Sequence, residues 1–185
     1  MGRKLLLLLP LLLLTACGKA AFDPASVAAK YAEGTLSAQY TVTTHSDFYT
    51  EYQLSAVVED GVHTVTILQP ESVAGITAVL HSGQATIRYE DVSLDALLPE
   101  IAGCAPVDVL HGLLEDLKND LPVSWAAEAD TVTLDYQETL SDGTELRKQV
   151  VLQRDTLALQ SAELYVDGDL LLALRADSFQ WTPAG

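Results

Sequence analysis

The stretch PVDVLHGLLEDLKNDL, residues 106–121, decides the fold, because it is the long break in a chain that otherwise reads as strand. Within it Val107, Leu110, Leu114, Leu117 and Leu121 recur at helical spacing and form one apolar stripe. Pro106 suits the opening of a helix and Pro122 its end. Gly112 inside the helix costs roughly 1 kcal/mol relative to Ala, which implies close backbone packing at that point.

Before this helix the segments 38–44, 48–58 and 62–69 are rich in Thr, Tyr and Val, the side chains that suit a pleated surface. His45-Ser46-Asp47 and Glu59-Asp60-Gly61 read as the turns between them. Val65 and Ile67 alternate with Thr64 and Thr66, so the third strand has one apolar and one polar face. A loop over 70–75 leads to a hairpin, 76–81 and 84–90, turning at Ser82-Gly83. After the helix come 131–140, 144–153, 157–166 and 169–181, with turns at Ser141-Asp142-Gly143 and Asp167-Gly168. At the start of the body Asp23 reads as an N-cap, Pro24 as the first helical residue and Gly34 as a helix stop. Phe22 and Val27 stand at the positions of a hydrophobic staple.

The expected architecture is mainly β: eight or nine antiparallel strands in one strongly curved sheet, a half-barrel, with an N-terminal and a central helix on its concave face. Burial is the reason. Each strand has one apolar face that cannot stay wet, no second set of strands is spare, and the two helices remain to cover it.

The first residues carry an address. Arg3 and Lys4 precede the apolar run 5–14 and the small residues Thr15 and Ala16, the order of a secretory signal peptide. The run is interrupted by Pro10 and falls well short of the roughly 20 apolar residues a spanning helix needs. Leu14-Thr15-Ala16-Cys17 resembles the bacterial lipobox, in which the Cys thiol receives a diacylglyceryl group and becomes the new N-terminus. The expected organisation is signal peptide 1–16, lipidated Cys17 with a short tether to residue 22, and one domain over 23–185. Two acyl chains hold a protein stably at a membrane where one does not. The chain is thus expected on the extracytoplasmic face of the cell membrane.

Loss of residues 1–16 takes the formal charge from −16 to −18. Such a surface repels nucleic acid and anionic headgroups, so membrane contact is expected through the lipid on Cys17. With Cys17 consumed, Cys104 has no partner for a disulfide, and its small apolar neighbours mark it as a buried, inert thiol. His45, His63, His81 and His111 read as scattered, without carboxylate neighbours, so no metal site, catalytic residue or cofactor is expected.

Gln69-Pro70-Glu71-Ser72-Val73-Ala74-Gly75-Ile76 resembles the strand-Pro-loop-strand passage of the LolA/LolB lipoprotein-carrier superfamily. Ala162-Glu163-Leu164-Tyr165-Val166-Asp167-Gly168-Asp169, running to Phe179, resembles that family's closing hairpin. The likeness spans residues 23–182 and is nearest to lipid-anchored clostridial proteins of the germination-lipoprotein kind, which partner a cortex amidase. It implies a half-barrel enclosing helices and supplies no fixed catalytic residue. The soluble carriers of the family lack an anchor, so Cys17 argues against a shuttle. The anchored acceptors use an exposed apolar loop residue, for which Val73 is the candidate.

Two readings of function follow, both non-enzymatic. In one the domain is an anchored scaffold for an envelope partner protein, with Trp125 and Trp181 as interface anchors or core caps. In the other the concave face is a cup for a lipid or lipoprotein acyl chain, lined by Val65, Ile67, Ile87, Leu110, Leu114, Leu117, Val132 and Leu134. These side chains either fill one another as core or leave that cup open.

Overall fold

The computed structural model describes residues 22–45, 49–97 and 103–184. The expected signal peptide, Cys17, the expected tether as far as residue 21 and Ser46-Asp47 of the first turn lie outside the described residues. Helix α1, Ala25–Tyr31, is followed by strands β1 Gly34–His45, β2 Tyr49–Glu59, β3 Val62–Gln69, β4 Thr77–His81, β5 Gln84–Tyr89 and β6 Val92–Leu97. Helix α2, Val109–Asn119, precedes β7 Ser124–Ala127, β8 Thr131–Thr139, β9 Glu145–Gln153, β10 Leu159–Val166 and β11 Asp169–Pro183. All eleven strands of the described residues pair antiparallel in one sheet, ordered β6-β5-β4-β3-β2-β1-β11-β10-β9-β8-β7. The sheet is curved and does not close, since β6 and β7 are its two edges. The segment carrying α2 connects those edges, so the helix crosses the concave face on its way from one rim to the other.

Alternation builds the interior. Along β3 His63, Val65 and Ile67 point inward while Thr64 and Thr66 point out. Val132, Leu134 and Tyr136 do the same on β8, and Leu146, Lys148, Val150 and Leu152 on β9. Against this surface α2 presents Val109, Leu110, Leu113, Leu114 and Leu117, all buried in the same core. Each such side chain contributes about 1.5–3 kcal/mol by leaving water. Gly112 is buried too, and a Cβ at Gly103 would stand 3.5 Å from its Cα, the close backbone approach expected there.

Helix α1 packs on α2 and is tied to the sheet at its last turn. Tyr31 donates to the Leu157 carbonyl at 2.6 Å, and Trp181 Nε1 donates to the Lys30 carbonyl at 2.9 Å. The Tyr31 and Trp181 rings lie 5.0 Å apart. Asp23 accepts from the Ala25 amide at 3.0 Å in a turn before the helix, but the N-cap is Pro24 and not Asp23, one residue later than expected.

Several expectations are corrected. Gly34 does not stop α1. It begins β1, pressed against Trp181 and Thr182. Helix α2 starts at Val109, after Pro106, because the Asp108 carboxylate folds back onto the Ala105 amide at 2.8 Å. The helix ends before Leu121, since Asp120 is already extended, and Leu121 leaves the apolar stripe for solvent. The short edge strands β6 and β7 bring the strand number above the expected eight or nine.

Candidate functional site

A recess of about 780 Å³ opens at one end of the half-barrel. Its walls come from the last turn of α1, the inner face of β3, the turns at Asp60-Gly61 and Ser82-Gly83, the end of β11 and one face of α2. Glu33, Asp60, His63, His81, Glu115 and Lys118 give it a polar, mixed-charge lining, while Leu114 and Trp181 supply apolar wall.

The inner wall holds a constellation that sequence reading missed. His63 lies on the inward face of β3 and is 6% exposed. His111 and Glu115 stand one turn apart on α2 and so project from the same helix face. The His63 and His111 rings meet edge to face, with centroids 4.3 Å apart. One ligating atom from each of His63, His111 and Glu115 lies within 4.8 Å of the other two. This corrects the expectation that the histidines are scattered without carboxylate neighbours. The signals were present: His63 precedes Val65 by two in the strand alternation, and His111 precedes Glu115 by four. Their meeting depends on where α2 crosses β3, which no spacing encodes.

The electrostatics favour neutral imidazoles. Burial, with the nearby His111, Lys118 and His81, pushes the His63 pKa down to about 4. Burial also lowers that of His111, opposed by the Glu115 and Asp108 carboxylates. Among the described residues buried His111 Nδ1 has no hydrogen-bond partner, and neither has buried Asp108 Oδ2 one turn earlier. Burial raises the Asp108 pKa, offset in part by the backbone amides it accepts from.

Seven residues of the expected cup, Val65, Ile67, Leu110, Leu114, Leu117, Val132 and Leu134, are buried together in one core cluster. Ile87 is not with them. It packs on a smaller cluster of Ala78, Leu80 and Ala85. Of the seven, Leu114 also reaches the recess. Val73 is half-buried against the core and not exposed on its loop. Trp181 covers the core edge as expected, while Trp125 does not and stands in solvent on β7.

No protein-family model and no curated protein matches the chain. Among solved structures it is similar to a LolA superfamily protein from Nitrosomonas europaea, at 11% identity and a TM-score of 0.43, covering 89% of this chain and 96% of that one. A DUF1329 family protein from Desulfovibrio piger gives 10% identity and a TM-score of 0.47, covering 85% and 91%. A domain from Vibrio parahaemolyticus described as an outer membrane lipoprotein-sorting protein gives 10% and 0.41, covering 86% and 91%. Likenesses of this size leave the family open.

Proposed function

We propose that this chain is a lipid-anchored extracytoplasmic lipoprotein whose body is a non-enzymatic binding domain for another envelope protein. The signal peptide 1–16 and the Cys17 lipobox support the anchor. The observation that carries the binding role is the β7 rim. Leu121 and Val123, in the segment that leads into the strand, and Trp125 on it are 70%, 63% and 49% exposed. Among the described residues β7 pairs only with β8, so its outer edge is left without a strand partner beside these side chains. An extended segment of a partner can add there as a further strand, its own apolar residues alternating over the row. The resemblance to germination lipoproteins makes a wall hydrolase the partner class to test first.

The anchor is tested by Cys17→Ala, which removes the acceptor thiol: the protein should stay uncleaved or be shed. Full membrane partition after normal processing would refute it. The rim is tested with a photo-crosslinking residue in place of Trp125 in the intact envelope. A discrete protein adduct is expected. Adducts confined to lipid would favour the alternative, a carrier or acceptor of an acyl chain. The recess supports that second reading by its volume alone, which falls within the 300–1,000 Å³ typical of small-ligand sites, while its apolar wall is confined to residues such as Leu114 and Trp181.

A further inference from the structure

The geometry points to His63, His111 and Glu115 as a binding site for one divalent transition-metal ion of the zinc class, with its open coordination position toward the recess. This is independent of the partner-binding role proposed above.

Two imidazoles and one carboxylate are a donor set that zinc accepts with a fourth position left for water or an outside ligand. Mixed nitrogen and oxygen donors also set the class of metal: imidazole suits zinc, copper and nickel, whereas calcium and magnesium take oxygen alone. Bonds of about 2.0–2.2 Å place tetrahedral ligands about 3.3–3.6 Å apart. The three ligating atoms already lie within 4.8 Å of one another, so a modest inward movement closes the site. Glu115 is exposed, its Oε2 accepting only at the surface from Asn119 Nδ2 at 2.9 Å, and makes most of it, while His63 is fixed in the wall of the core.

The surroundings suit a cation. Neutral imidazole is the ligating form, and both rings are held neutral by burial. The buried Nδ1 of His111 has an unmet demand for a partner. A metal meets it directly if bound at Nδ1. Bound at Nε2, it fixes the tautomer with a hydrogen on Nδ1, and Asp108, whose charge acts on His111 and whose Oδ2 is likewise unpartnered among the described residues, is the carboxylate to receive it. A carboxylate behind a ligating histidine is the usual support for such a ring. Glu33 and Asp60 add negative charge to the recess, and Lys118 opposes it.

The test uses the mature lipoprotein in detergent micelles, stripped with a chelator and titrated with zinc chloride and, separately, cobalt chloride. One Zn²⁺ per chain at micromolar affinity or better is expected. Cobalt should give visible ligand-field bands without a thiolate charge-transfer band, which excludes Cys104 as the ligand. Glu115→Gln, at an exposed position, should weaken zinc by at least about tenfold while the fold is kept by circular dichroism. Lys118→Gln should tighten it several-fold by removing a like charge. Absence of saturable binding, wild-type affinity in Glu115→Gln, or a cobalt spectrum dominated by thiolate overturns the assignment.

Discussion

Lys148 on β9 donates from Nζ to Asp116 Oδ2 on α2 at 2.7 Å, an ion pair with little solvent access that fastens the central helix to the concave sheet. Burial raises the Asp116 pKa, and Lys148 offsets only part of that. The pair therefore positions the helix more than it stabilises the fold, since desolvation consumes most of the Coulombic gain.

Breaking one side is another matter. Lys148→Met leaves a carboxylate in the interior, and the expected loss is about 2–4 kcal/mol, just under the range of fully buried pairs. Lys148→Met with Asp116→Leu should recover most of it in urea unfolding. A double variant no better than the single would mean that the loss is packing, not charge. The single variant also has a signature in pH. Without Lys148 the folded-state pKa of Asp116 rises further above its unfolded value, near 3.9. The folded state then binds the extra proton, so stability should recover as pH falls through the raised pKa.

Gly34→Ala tests the seam between β1 and β11. An added Cβ would stand 2.5 Å from the Thr182 carbonyl oxygen and 2.9 Å from the Trp181 ring. A backbone oxygen cannot step aside cheaply, so a loss of about 1–3 kcal/mol is expected. Wild-type stability on chemical denaturation would show that the strands separate there at little cost.

Gly34 also shows where sequence reading stops. A glycine after a helical segment looks like a helix stop, and only the arrival of Trp181 from the far end of the chain reveals its actual constraint. Strand β3 was legible to the residue because alternation and flanking turns coincide. Strand β6 was not: its hairpin turns at Glu90-Asp91 without glycine, and it carries Asp95 in mid-strand. Strand β7 is four residues, all exposed, and pairing to β8 sustains it, not a pattern of its own. The metal constellation was half legible, in the four-residue spacing of His111 and Glu115. Its third member comes from a strand whose contact with α2 is purely tertiary.

Cys104 is half-buried against the core, less enclosed than its apolar neighbours suggested. Burial and the Asp108 charge still raise its thiol pKa, against a smaller opposing effect of Lys148. With Cys17 replaced by Ser, labelling of the native protein should be slow near neutral pH and keep accelerating beyond the usual thiol range of about 8.5. Denaturation should make it fast. Rapid native labelling at neutral pH would mean a reactive thiolate.

Leu114 tests architecture and function together, because it is buried in the core and also forms apolar wall in the recess. If the helix plugs the sheet, Leu114→Ala removes buried methyl groups and leaves a void, at a cost of about 2–5 kcal/mol. If the recess instead extends inward around a bound acyl chain, Leu114 loses few contacts, and truncation changes ligand binding more than stability. The close packing of Leu110, Leu113 and Leu117 around it favours the first outcome. Thermal melts of the delipidated domain, with and without a long-chain fatty acid, separate the two. A large drop in Tm with no fatty-acid effect is expected. A small drop accompanied by altered fatty-acid stabilisation would retire the plugged core and make the acyl-chain reading the better one.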